Sequence, residues 1–126
     1  MKDRNVIYVA GPYTAETDFE RKQNIQRADE VNADLWKRGY YAICPHKITA
    51  FYGGLVPEHV FIDGGLEILR RCDVMVLVKG WEKSNGTIGE IKEAIRFRIP
   101  IYRNVNDFIM RRPVDPIYFK GLRRSR

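Results

Sequence analysis

The stretch Asp73 to Val78, DVMVLV, constrains this chain more than any other. It is almost wholly apolar and does not alternate. A strand of that kind is buried on both faces, as in a parallel sheet covered by helices. Parallel strands need crossover connections, and the surrounding pattern supplies them. Asn5–Ala10 (NVIYVA) reads as a first strand ended by Gly11-Pro12. Ile25, Ala28, Val31 and Leu35 recur at helical spacing, and Gly39 suits the C′ position of that helix. Tyr40–Cys44 (YYAIC) reads as a second strand stopped by Pro45, and 46–57 has no period and reads as a loop. Ile62, Leu66 and Leu69 mark a short helix before the apolar strand. After it come a loop at Gly80–Gly86, a helix marked by Ile88, Ile91, Ala94 and Ile95, and a fourth strand at Ile99–Tyr102. Pro113 and Pro116 make the remainder irregular.

Strand and helix alternating in this way give an α/β domain with a parallel sheet. Ligands of such open sheets sit beyond the carboxyl ends of the strands. Gly11, Pro12, Tyr13 and Thr14 follow the first strand, Pro45 and His46 the second, and Gly80 through Glu90 the third. The polar and glycine-rich segments therefore fall on one rim.

A chain of 126 residues suits one domain with its own core. Residues 1–110 form the expected ligand-binding body and 111–126 a basic C-terminal tail of the same domain. The net charge is +6, yet Arg111, Arg112, Lys120, Arg123, Arg124 and Arg126 face only Asp115 in that tail, leaving +1 for the body. The tail reads as a solvated end. With no basic groove interleaved with aromatics and no nucleic-acid-binding signature, composition argues against a nucleic-acid partner. No run approaches the length of a membrane helix, and Val6–Ala10 is too short for a signal core. Cys44 and Cys72 are isolated, as in a reducing compartment. The expectation is a cytoplasmic protein with no membrane partner.

The segment Ser84-Asn85-Gly86-Thr87-Ile88-Gly89-Glu90 joins a strand to a helix. Small residues there leave backbone N–H groups open at a helix N-terminus, where an anion is stabilised, and Ser84 adds a hydroxyl. Asn-Gly is equally a common turn, and Thr87-x-x-Glu90 fits a capping box, so Glu90 reads as cap or as catalyst. As a catalyst its carboxylate would attack an anomeric carbon and displace a base. Tyr8 reads as a core aromatic or as a hydroxyl placed near that carboxylate. His46 reads as a packed group or as a contact to base or sugar. Tyr13 and Trp81 are candidates to stack on a base. His59 has no acidic or cysteine partner at metal-ligand spacing, so neither metal nor cofactor is expected.

Taken in order, IYVAGPYT at Ile7–Thr14, CPH at Cys44–His46, LEILRRCDVMVLVKGW at Leu66–Trp81 and SNGTIGEIKEA at Ser84–Ala94 resemble the nucleoside 2-deoxyribosyltransferase superfamily. They are nearest to a small uncharacterised branch of it from phages and bacteria. The resemblance covers residues 5–103. It implies a flavodoxin-like three-layer sandwich with four to five parallel strands and cleavage of N-glycosidic bonds of deoxynucleosides or their monophosphates. It implies Glu90 as nucleophile and Tyr8 as its hydrogen-bonding partner. It also implies a homodimer, with sites often completed by the neighbouring subunit. Six residues before the glutamate, the transferases carry an aspartate for the sugar 5′-hydroxyl and the 2′-deoxynucleoside 5′-phosphate N-hydrolases a serine for the phosphate. Ser84 stands there, which favours a monophosphate and hydrolysis, with Gly11, Tyr13, His46, Trp81, Ser84, Asn85 and Gly86 around the substrate. Both branches place an aspartate before the leucine matching Leu66, where this chain has Gly65. Asp63 lies about 200° away on a helix and serves only if the helix begins after it. Glu67 is the other nearby carboxylate. The alternatives are a deoxyribosyltransferase on free nucleosides and a non-catalytic nucleotide-binding module.

Overall fold

The structure is a computed structural model that describes residues 5–122. Four strands, β1 (Val6–Ala10), β2 (Tyr41–Ile43), β3 (Val74–Leu77) and β4 (Ile101–Tyr102), form one sheet in the order β2-β1-β3-β4. Every pairing is parallel, with Ile7 opposite both Ala42 and Val74, and Met75 opposite Ile101. Among the described residues five α-helices connect or follow the strands: α1 (Asp18–Lys37), α2 (Pro45–Ile48), α3 (Glu58–Arg70), α4 (Asn85–Arg96) and α5 (Val105–Ile109).

The expected α/β sandwich is therefore present. On one face Ile7, Val9 and Val76 pack with Ala28 and Leu35 of α1 and Phe108 of α5. On the other Tyr8, Ala10, Met75 and Leu77 pack with Leu69 of α3 and Ile91 and Ala94 of α4. All four residues of β3 are buried, as its apolar run predicts.

Local chemistry sets the helix ends. Thr17 caps α1 by accepting from the Glu20 N–H at 3.1 Å. At its far end Gly39 has φ 86°, and the N–H groups of Gly39 and Tyr40 donate to Trp36 and Leu35. This is a Schellman motif with glycine at C′, as expected from the sequence. Helix α4 ends in the same way, but its left-handed residue is Arg98, at φ 58°. A side chain there is strained by roughly 1 kcal/mol.

Several expectations need correction. Residues 46–48, read as the start of a loop, form a turn of helix led by Pro45. The helix marked by Ile62, Leu66 and Leu69 is present, but Ile62 is 54% exposed, and only Leu69 of that trio is fully buried. The described part of the C-terminal segment, residues 111–122, is also more than a solvated tail. Val114 donates to the Ile101 carbonyl at 2.8 Å, extending the hydrogen bonding at the edge of β4, and Phe119 is buried against Trp81. Arg123, Arg124 and Arg126 lie outside the described residues. Among the described residues no helix is long and apolar enough to cross a membrane.

The chain runs from β1 outward to β2, then returns past β1 to β3. The order reverses between β1 and β3, the point at which open α/β sheets form a crevice. The two strands are tied there by the Val78 N–H donating to Ala10 at 2.8 Å. Gly11 is required at this junction, because a β-carbon on it would lie 2.5 Å from the Val78 β-carbon.

Candidate functional site

One residue of β1 and one of α4 meet beside this crossover. The Tyr8 hydroxyl donates to Glu90 Oε2, joining groups 82 positions apart in sequence. Tyr8 is wholly buried in the middle of the sheet, where a phenol must find an acceptor. Glu90 is the sixth residue of α4, on the flank of the helix shared with Thr87 and Ala94, both of which are buried.

The capping reading of Glu90 fails on geometry. The residue that caps α4 is Ser84, which accepts from the Thr87 N–H at 3.2 Å and from the Thr87 hydroxyl at 2.9 Å. Three residues on, Thr87 fills the box position, so Glu90 lies a turn too late to reach the cap.

Burial pushes the Glu90 carboxyl up to about 7, against a smaller lowering by the Tyr8 hydrogen bond. Burial first, and then the Glu90 charge, raise the Tyr8 hydroxyl, so it stays protonated. The result is a carboxyl that is half ionised near neutrality and held by a fixed donor. A group poised in this way serves as nucleophile or as proton carrier.

Helix α3 brings a third member. A β-carbon on Gly65 would lie 3.3 Å from the Tyr8 hydroxyl and 3.9 Å from Glu90 Oε2. Gly65 thus faces the pair with no side chain of its own. Asp63 does not take its place. Helix α3 begins at Glu58, ahead of Asp63, which is carried round to an exposed position. The condition on which Asp63 could act is not met. Glu67 is exposed and paired with Arg70 and Arg71.

The other candidates separate into two groups. Ser84 is partly buried, and Asn85 and Gly86 are exposed at the first turn of α4. Gly11 lies under the strand crossover. Tyr13 and His46 meet as tilted rings with centroids 5.0 Å apart. Burial lowers His46 to about 4, so it is neutral, and its buried Nδ1 has no hydrogen-bond partner among the described residues. Trp81, a candidate to stack on a base, is largely enclosed. It is 8% exposed and packs edge-on against Phe119 in the core.

Sequence reasoning missed a groove. A cleft of about 570 Å³ lies between α1 and the start of α5, lined by Asp34, Lys79, Trp81, Arg103 and Asn104 among others, and includes neither Tyr8 nor Glu90. Its only sequence trace is the scatter of charges among apolar positions, which does not differ from an ordinary helix surface.

The chain belongs to a family described as Domain of unknown function (DUF4406), whose profile matches residues 5–103. No curated protein and no solved structure matches the chain.

Proposed function

We propose that this protein cleaves the base–sugar bond of a nucleoside or deoxynucleoside 5′-monophosphate, with Glu90 as nucleophile. The observation that carries this reading is the part-buried Tyr8–Glu90 pair beside the reversal point of a parallel sheet. A carboxylate near its titration point, with a phenol fixing one oxygen, is equipped for covalent glycosyl chemistry. The free oxygen of Glu90 would attack the anomeric carbon as the base departs. Water would then resolve the glycosyl ester. Tyr8 would hold the carboxylate in line and return its hydrogen bond as Glu90 is released.

The 5′-phosphate would sit at the start of α4. Helix N-terminal amides and the helix dipole favour an anion there, and Asn85 and Gly86 are exposed. The Ser84 oxygen already accepts two hydrogen bonds from Thr87, which leaves its own proton as the group to offer a phosphate. Tyr13 and neutral His46 would lie on the base and sugar side. A homo-oligomer belongs to the same reading, supported by the exposed apolar residues Ile48, Phe51, Leu55 and Ile62 between β2 and β3.

The test is base release from matched deoxynucleosides and their 5′-monophosphates, with and without an acceptor base, on the native protein and Glu90→Gln. Release from monophosphates that needs no acceptor and is lost in Glu90→Gln supports the proposal. Exchange confined to free nucleosides would make the protein a transferase. Binding without turnover would make it a nucleotide-binding module.

A further inference from the structure

We infer that Gly65 sets the substrate class, and that the base released is one that already carries a positive charge, as in an N-alkylated purine or an N-substituted pyridinium nucleotide. This inference rests on the N-glycosidase reading above. Glycosyl transfer by a carboxylate ordinarily uses a pair of acids: one attacks the sugar, and the other, roughly 5 Å away, protonates the leaving group. Here the backbone of α3 comes up to the Tyr8–Glu90 pair, and the residue at the point of approach is glycine. The carboxylates on either side of it along α3 are turned away. Asp63 is exposed, and Glu67 is held by Arg70 and Arg71. Tyr8 directs its proton into Glu90 and not towards a substrate. Among the described residues the pair therefore brings one carboxyl group to the reaction, and the position that faces it carries no side chain.

A cationic base needs no proton. Glu90 forms a bond to the anomeric carbon, the carbon–nitrogen bond breaks, and its electron pair passes to the ring nitrogen. The positive charge is cancelled and the base leaves neutral. Water then attacks the same carbon, the ester oxygen recovers its electrons as the Glu90 carboxylate, and one proton passes to solvent. A neutral base would instead depart as an anion. A positioned general acid is worth about 10²–10⁴-fold, and that factor would be missing for it.

The test uses a pair differing only in this charge: 7-methyl-2′-deoxyguanosine 5′-monophosphate and 2′-deoxyguanosine 5′-monophosphate. Base release by the native protein is measured for each and corrected for the uncatalysed rate. The expected kcat/KM ratio is about 100 or more in favour of the methylated nucleotide, lost for both in Glu90→Gln. Gly65→Asp, checked for folding by circular dichroism, is expected to narrow the ratio tenfold or more by a gain on the neutral nucleotide. Rates within about threefold on the native protein, with Glu90 still required, would overturn this inference while leaving the glycosidase reading intact. A folded Gly65→Asp that leaves a large ratio unchanged would overturn the role of Gly65. Release of base from neither nucleotide would sink both readings.

Discussion

Strand β1 turns successive side chains to opposite faces of the sheet, and the two faces have opposite characters. Ile7 and Val9 enter the layer under α1 and α5 as plain hydrocarbon side chains, whereas Tyr8, between them, enters the layer under α3 and α4 and carries a hydroxyl with it. Ile7 and Tyr8 are equally sealed from solvent. The first needs nothing but contact. The second needs an acceptor, and the acceptor supplied is a carboxyl whose own burial opposes its charge. A core built only for stability would place an apolar residue at both positions. One face of this sheet supports the fold, and the other holds an ionisable pair at some expense to the fold.

Replacing Glu90 tests that division most directly. Glu90→Gln is expected to lower base release by about 10³-fold or more, because it removes the proposed nucleophile. The same change should raise stability at alkaline pH. In the folded protein Glu90 keeps its proton up to about 7, whereas in the unfolded chain it loses it at the ordinary carboxylate value. The favourable contribution of this group is thus full below the ordinary value and is lost as pH rises through about 7. Thermal melts between pH 4 and 9 should show this decline in the native protein and a flatter profile in Glu90→Gln. Parallel profiles would show that Glu90 does not titrate as its surroundings demand.

The apolar face should respond in the reverse sense. Ile7→Ala is expected to cost about 2–5 kcal/mol in urea denaturation, from lost burial and an incompletely closed cavity. The pH dependence contributed by Glu90 should remain. Loss of that dependence would mean that the two faces are not separable.

A smaller effect is expected at the start of α4. Ser84→Asp should weaken 5′-monophosphate binding by about tenfold and leave the matching nucleoside nearly unchanged. Two like charges at about 4 Å repel by about 4 kcal/mol at an effective dielectric of 20, before screening. Aspartate remains a good helix cap, so stability should hardly move. Equal weakening of both ligands in paired titrations would remove the phosphate from this end of the helix.

Tyr8→Phe should have the mildest effect near neutrality. The Tyr8 hydrogen bond lowers the Glu90 pKa, so its loss moves the rising limb of the pH–rate profile upward. Activity is expected to fall severalfold at pH 7 and to recover towards pH 9. A profile that stays in place would show that the phenol does not tune the carboxyl.

Much of this arrangement was legible in the sequence, because burial imposes period. The unbroken apolar run of β3 indicated a two-sided sheet, the stripe on α1 gave a helix, and Gly39 gave its end. Short elements carry too little pattern, so the four residues of α2 and the five of α5 were invisible. The role of Glu90 was ambiguous for a physical reason. Thr87 and Glu90 have capping-box spacing, and only the position of the true cap, one step earlier at Ser84, separates the two roles. Trp81 was ambiguous because an aromatic at a strand end stacks on a ligand or on the core equally well. The core partner, Phe119, lies in a stretch whose prolines suggested only irregular structure.

The crossing of Gly11 and Val78 has a consequence for how this sequence can drift. With the backbone in place, those two positions have room for one β-carbon between them. An alanine at 78 would still leave that atom in the way, so only glycine makes room for a side chain at 11. The two residues therefore behave as one hereditary unit in which the order of change matters. A first step at 11 forces β1 from β3 and disturbs the strand that carries Tyr8. A first step to glycine at 78 loses packing but keeps the backbone geometry. Descendants bearing a side chain at 11 are expected to have passed through glycine at 78.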